Sequence, residues 1–508
     1  AQDALPLRAA PRDGAPVQAQ LWAGDALEIR GERNGYLQVW DPRRERLGYV
    51  RAAGVRPVSV APEAAPDLLA VLRFLRDQPG AESLGVAYAA AYFKAAPAAQ
   101  PNPEAWDALG QMADRLAQRG SARAAVASAQ AGLSWLPAGG AGPDARLAGQ
   151  LDGVAVYGVR FVSWEQGGAV RLCYDGEAFR RVLALAASTP AQRAQAALAL
   201  SRPDCLNPGL RASEREAWLD QRTQWLDAFK LDDWNRLNDG QRQRIRLRRA
   251  GLWAELAHAQ ALRGLDALPT AGPAPGQAAG QRAVDELAAV EAAKLDDDDQ
   301  GAYREAALRV GASRWAALPR VAATGAPHGP RLQLVAGTQP GERCVVLREG
   351  LGAGREALRR CTWGVPWMAS ARVRAQGDAV ALAVQPLAHW RELWLMRRDA
   401  QGQWTLDVLP PAPGDPASGD YGYAEFAGWA AEAQPQMLLA REARVESRPA
   451  AVAPGAAPPA PELRWVRRFE AVELATGTVA RQGAQPDAVP GFKRWRDPDW
   501  ARMSVALR

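Results

Sequence analysis

The hydrophobic pattern of this chain changes period twice, and each period admits one kind of element. Near the start, LEIRGE (residues 27–32) and YLQVW (residues 36–40) alternate apolar with polar side chains, the period of two of a strand with one buried face. From residue 67, DLLAVLRFLRD puts Leu68, Leu69, Leu72 and Leu75 at helical spacing. From Arg331 onward short apolar runs return, among them CVVLREG, AVALAVQPL, WRELWLMRR, WTLDVL, MLLAREAR and RRFEAVEL. This order predicts a multidomain α+β protein. An N-terminal β unit spans 1–60, a mainly α-helical domain with a hairpin near 154–175 spans 61–325, and a β-rich domain spans 326–508. A length of 508 residues suits about three domains.

The first unit is the most legible. Asn34-Gly35 is a strong two-residue turn signal, because both residues tolerate positive φ. Strands on either side, followed by GYVRA, predict a small barrel in fewer than 60 residues. Leu37 and Val39 read as its core. Tyr36, Trp40 and Tyr49, with Trp22, are then the candidates for a ligand-binding surface. Gly24-Asp25 before a strand, Asn34-Gly35-Tyr36 and Val39 after it, and then Gly48-Tyr49-Val50 resemble the pattern of bacterial SH3-like domains over about residues 3–58. The resemblance implies a binding module for peptidoglycan stems or peptides at the cell envelope, without catalysis. Tyr stands at two places where that family more often has Trp.

A Pro/Ala linker, VAPEAAP, leads into the helical region. Residues 101–137 read as a helical hairpin turning at Gly120, loosely like one tetratricopeptide unit. VAVYGVRFVSWEQGGAVRLCYDG reads as a β-hairpin around Glu165–Gly168, with Cys173 on its second strand. Thr189 and Pro190 mark a helix start, and its end presents Cys205. Ser213 and Glu216 form a capping box, followed by Trp218, Leu219, Trp225 and Leu226 on one face.

Four cysteines at wide spacing, with no CxxC pair, predict two disulfides in an oxidising compartment. Cys173–Cys205 ties hairpin to helix. Antiparallel pairing about the Gly-rich connection places Cys344 opposite Cys361. Farther on, Trp367, Trp429 and Trp495 recur at similar distances, each near a strand and a polar turn. This weakly resembles the blades of PD/WD-type β-propellers; a β-sandwich accounts for the same strands.

Candidate chemistry is sparse. DDDDQG (Asp296–Gly301) fails as a calcium loop, because position twelve falls on Ala307. It reads as a solvated helix start. Arg242, Arg244, Arg246, Arg248 and Arg249 are dense, yet acids lie close by, so pairing is expected rather than nucleic-acid binding. His258, His328 and His389 lie in separate elements, which predicts no zinc site and no catalytic triad. No GxSxG, HExxH or P-loop is present, and GLGAG lacks the third glycine of a dinucleotide fingerprint. No catalytic residue, metal ligand or cofactor is therefore assigned. A net charge of +6 spread over 508 residues is a weak field, and no apolar run reaches the 18 residues of a membrane span. The opening AQDALPL reads as a mature terminus after signal-peptide removal. The expected protein is periplasmic or secreted. It is a non-enzymatic binder or scaffold whose partner is a protein or peptidoglycan at the envelope. The alternatives are a cell-wall enzyme or enzyme accessory, and a subunit of a larger envelope assembly, to which the Pro/Ala segment Ala450–Pro461 would order.

Overall fold

The computed structural model describes residues 4–97, 102–131, 143–166, 169–265, 273–319, 323–325, 329–350, 354–399, 401–412, 421–430, 435–447 and 462–503. His328, the middle of GLGAG and the Ala450–Pro461 segment lie outside them. The chain is mixed α and β and forms two compact units. The first consists mainly of Ala1–Gly209 with Phe229–Leu237, the second of Leu210–Ala228, Asn238–Val452 and Pro459–Arg508. The helices expected between 61 and 325 are divided between them.

The first unit opens with β1 (Leu5–Arg8), β2 (Val17–Leu21), β3 (Glu28–Arg33), β4 (Tyr36–Asp41) and β5 (Arg46–Arg51), paired in the order β2-β1-β5-β4-β3. Asn34 (φ 54°) and Gly35 (φ 72°) make the two-residue turn between β3 and β4. Leu7, Leu21, Leu37, Val39 and Val50 form the core of this sheet. Ile29, expected to point inward, is 42% exposed, because β3 is an edge strand with an irregular register between Ile29 and Gly31.

Helices α1 (Ala65–Arg76), α2 (Glu82–Ala95), α3 (Pro103–Ala131) and α4 (Pro143–Ala155) follow. Leu68, Leu72, Val86, Tyr92, Leu109, Met112, Leu116 and Leu147 share one core. The predicted turn at Gly120 is absent: α3 runs through it without a break. The glycine instead makes room, since a Cβ there would come within 2.9 Å of Leu172 on the hairpin. That hairpin is β6 (Phe161–Gln166) and β7 (Ala169–Tyr174); the preceding VAVYG starts no strand, its first two residues ending α4 and the next three turning. Two strands alone are marginal in water. Here Ser121 Oγ donates to the Leu172 carbonyl at 3.0 Å and accepts from its N–H at 2.8 Å, and the Cys173–Cys205 disulfide adds a covalent tie. Helices α5 (Glu177–Ala184) and α6 (Pro190–Leu200) complete this stretch, α6 under a capping box of Thr189 and Gln192. In the second unit α7 (Ala212–Asp227) starts just before the predicted box, because Glu214 reaches back to the Arg211 N–H at 3.0 Å. The short α8 (Leu231–Arg236) rejoins the first unit.

The second unit adds α9 (Asp239–Gly264), α10 (Gln277–Ala288) and α11 (Asp297–Ser313), then two sheets. The smaller sheet comprises β8 (Ala323–Gly325), β9 (Arg331–Ala336), β10 (Arg343–Glu349) and β11 (Arg355–Thr362), ordered β11-β10-β9-β8. Cys344 stands directly opposite Cys361 in it and is bonded to it. The larger sheet has nine strands: β12 (Val365–Pro366), β13 (Arg372–Val373), β14 (Ala379–Leu387), β15 (Trp390–Arg398), β16 (Trp404–Leu409), β17 (Tyr421–Ala430), β18 (Gln436–Ser447), β19 (Glu462–Glu473) and β20 (Val479–Gly483). Its two antiparallel arms meet at one short parallel contact, where Trp390 and Arg391 pair with Gly422 and Tyr423.

Strand alternation then builds layers. Ala379, Ala381, Leu393 and Leu395 of the first arm pack against Ala424, Phe426, Met437, Leu439 and Val472 of the second. The reverse side of the first arm (Val380, Leu382, Trp394, Met396) covers Leu332, Val345 and Leu347 of the smaller sheet. The reverse side of the second arm (Tyr423, Leu438, Phe469) covers Leu308 and Ala312 of α11. It also covers Phe492 and Trp500 of α12 (Phe492–Trp495) and α13 (Pro498–Met503). Strands buried on both faces lose the apolar–polar alternation, hence the continuous AVALAV. Gly428 (φ 153°) lets the C-terminal segment cross β17: the Trp495 carbonyl occupies the place of a Cβ, and the Asp497 N–H donates to the Ala427 carbonyl at 2.6 Å.

Candidate functional site

Pairing in the N-terminal sheet sorts its aromatics. Tyr36, Gln38 and Trp40 of β4 share one face, with Arg51, Tyr49 and Leu47 of β5 opposite them in that order. The other face of β4 is core. Trp40 and Tyr49 are half-buried and Leu47 is 46% exposed, so three apolar side chains stay partly open on this face, with Gln38, Glu28 and Arg8 in register beside them. Tyr36 is on the same face but buried: its hydroxyl donates to Asp13, and the Arg51 guanidinium, which donates to Asp13 at 3.0 Å, lies 5.6 Å from its ring centroid. The hydrogen bonds from Tyr36 and Arg51 hold the Asp13 carboxyl below its ordinary value. Residues 4–58 carry nine arginines against six carboxylates, so half of the chain's net charge sits on this small module.

Trp22 does different work. Its ring packs on Gly149 of α4, where any Cβ would collide with the indole. The whole Trp22–Asp25 turn is clamped to the helices. Ser83 Oγ donates to the Ala23 carbonyl at 2.7 Å, and Tyr157 Oη donates to the Gly24 carbonyl at 2.7 Å. Asp25 accepts from the Trp22 N–H at 3.0 Å, and Arg43 reaches Asp25, Asp152 and the Gly149 carbonyl. Gly24 has φ 97°, and a Cβ there would lie 2.5 Å from the Ser83 carbonyl oxygen. Of the four sequence candidates, then, Trp40 and Tyr49 share a partly open face, Tyr36 lies on that face but is closed over by Asp13 and Arg51, and Trp22 packs on α4. Gln38 and Leu47 occupy the same face, and the period of two in RLGYV puts Leu47 beside Tyr49.

In the second unit an apolar groove with a cavity of about 40 Å³ lies among the end of α9, the residues just before α10, those just after α11, β9 and β12. Trp315, Leu318, Val365, Trp367 and Met368 wall it, together with Ala261, Leu265 and Pro275; no lining residue titrates. Behind it Gln385, fully buried, accepts from Trp367 Nε1 at 3.0 Å and donates to Ser313 Oγ at 3.0 Å. His258 Nε2 lies 3.4 Å from the Gln385 carbonyl, and burial lowers its pKa to about 4, so it is neutral at pH 7. His389 packs 4.5 Å from the Tyr421 ring.

The charge clusters are internally matched. Arg242 meets Asp239, Arg244 meets Asp299 at 2.8 Å, and Arg249 meets Asp227 at 3.2 Å and Glu286 at 3.3 Å. Asp296 holds the N-cap position of α11 without a side-chain hydrogen bond to the helix, and Asp297–Asp299 form its first turn, where carboxylates favour the helix dipole. Deep between α11 and the sheet, Glu425 Oε1 accepts from both Arg314 and Arg391 at 2.5 Å, all three residues at most 3% exposed. Among the described residues the one grouping of potential metal ligands is Glu342, Cys344 and Cys361, whose sulfurs are spent on each other.

Among the described residues, no helix is long and apolar enough to cross a membrane. Comparison with protein-family models, curated proteins and solved structures finds no match to this chain.

Proposed function

We propose that this is an exported, non-enzymatic binding or scaffolding protein of the cell envelope, periplasmic or secreted. Its N-terminal SH3-like module, whose five strands form an open sheet with β2 and β3 at its edges rather than the expected closed barrel, offers the Gln38–Trp40–Leu47–Tyr49 face to a peptide or to peptidoglycan. The observation that carries this is the division of labour within the module: Trp22–Asp25 is consumed in docking, while Trp40, Leu47 and Tyr49 stay partly open on a basic sheet. Aromatic side chains that are half open and rigidly backed are the usual anchors of binding surfaces. Two disulfides support an oxidising compartment. The layered sheets of the second unit support a sandwich-like scaffold over propeller blades. Acid–base chemistry has no seat in the apolar groove, which favours binding over catalysis there.

Co-sedimentation of the purified full chain with isolated peptidoglycan tests the reading. The Trp40→Ala/Tyr49→Ala double variant is expected to lose binding by at least about tenfold, the worth of one modest anchor. Phe74→Ala, 67% exposed on α1, should leave it unchanged. Wild-type protein that stays in the supernatant, or a double variant that pellets like wild type, overturns the proposal.

A further inference from the structure

We draw no further inference here: the strongest candidate, the apolar groove walled by Trp315 and Trp367 in the second unit, carries no proposal because nothing in the structure shows what covers it, the described chain stopping at its rim after Leu265 and after Pro319.

Discussion

Asp107 on α3 should make the first unit more stable in mild acid than at neutral pH. It is 6% exposed; Oδ2 accepts from Gln111 Nε2 at 2.8 Å, and Oδ1 has no partner. Burial pushes its pKa from 3.8 up to about 6, against the weaker pull of the Gln111 hydrogen bond and the Arg76 charge. Below pH 3.8 the carboxyl is protonated in both folded and unfolded chains, and nothing is lost. Between 3.8 and about 6 the unfolded chain ionises while the folded one holds its proton, so stability falls as pH rises. Above about 6 the full penalty persists: about two pH units at 1.36 kcal/mol each, or about 3 kcal/mol. Asp107→Asn keeps an acceptor for Gln111 and removes the charge. The variant should match wild type at pH 3.5 and exceed it by about 2–3 kcal/mol at pH 7.5, raising the melting temperature of that transition by roughly 5–10 °C. Calorimetry of both proteins at pH 3.5, 5 and 7.5 reads the difference directly. An Asn variant less stable than wild type at pH 7.5 would refute the reasoning, because the carboxylate would then be ionised and serving the fold.

His258 predicts the opposite trend for the second unit. Its folded pKa lies near 4 against 6.5 unfolded, so its contribution is complete above 6.5 and lost as pH falls towards 4; His258→Leu should flatten that acid-side slope in urea titrations. Glu425→Gln strands two buried guanidiniums and should cost on the order of 3–5 kcal/mol, whereas replacing Arg314, Glu425 and Arg391 together by apolar residues should cost far less; equal losses would argue against burial as the cause. Opening Cys173–Cys205 frees a loop of 32 residues, worth about 3–4 kcal/mol in the unfolded-chain picture. The thiol count of native protein should be zero, and four reactive thiols would remove the argument for an oxidising compartment. Gly428→Ala drives a Cβ into the Trp495 carbonyl and should lower the urea midpoint by the equivalent of about 2–4 kcal/mol, while Gly402→Ala, with open space around it, should cost only its backbone strain.

The sequence by itself determined what short-range chemistry decides. Asn34-Gly35 could turn only one way, Thr189-Pro190 could only begin a helix, and the shift from period two to period 3.6 and back divided strand from helix along the chain. Cys344 and Cys361 could be paired in advance because a hairpin's register follows from its own turn. Other features depended on partners far away in sequence. Gly120 carries a local turn signal, yet Leu172 fills the space beside it and α3 runs straight through. Trp22 has Gly149 of α4 against its ring, and the Tyr36 hydroxyl donates to Asp13, contacts that no local pattern shows. The burial of Glu425 between two arginines, and the folding of nine strands into two facing arms, likewise rest on contacts across tens to hundreds of residues. A side chain's period tells which face of its element it occupies; only the tertiary structure decides what, if anything, comes to cover that face.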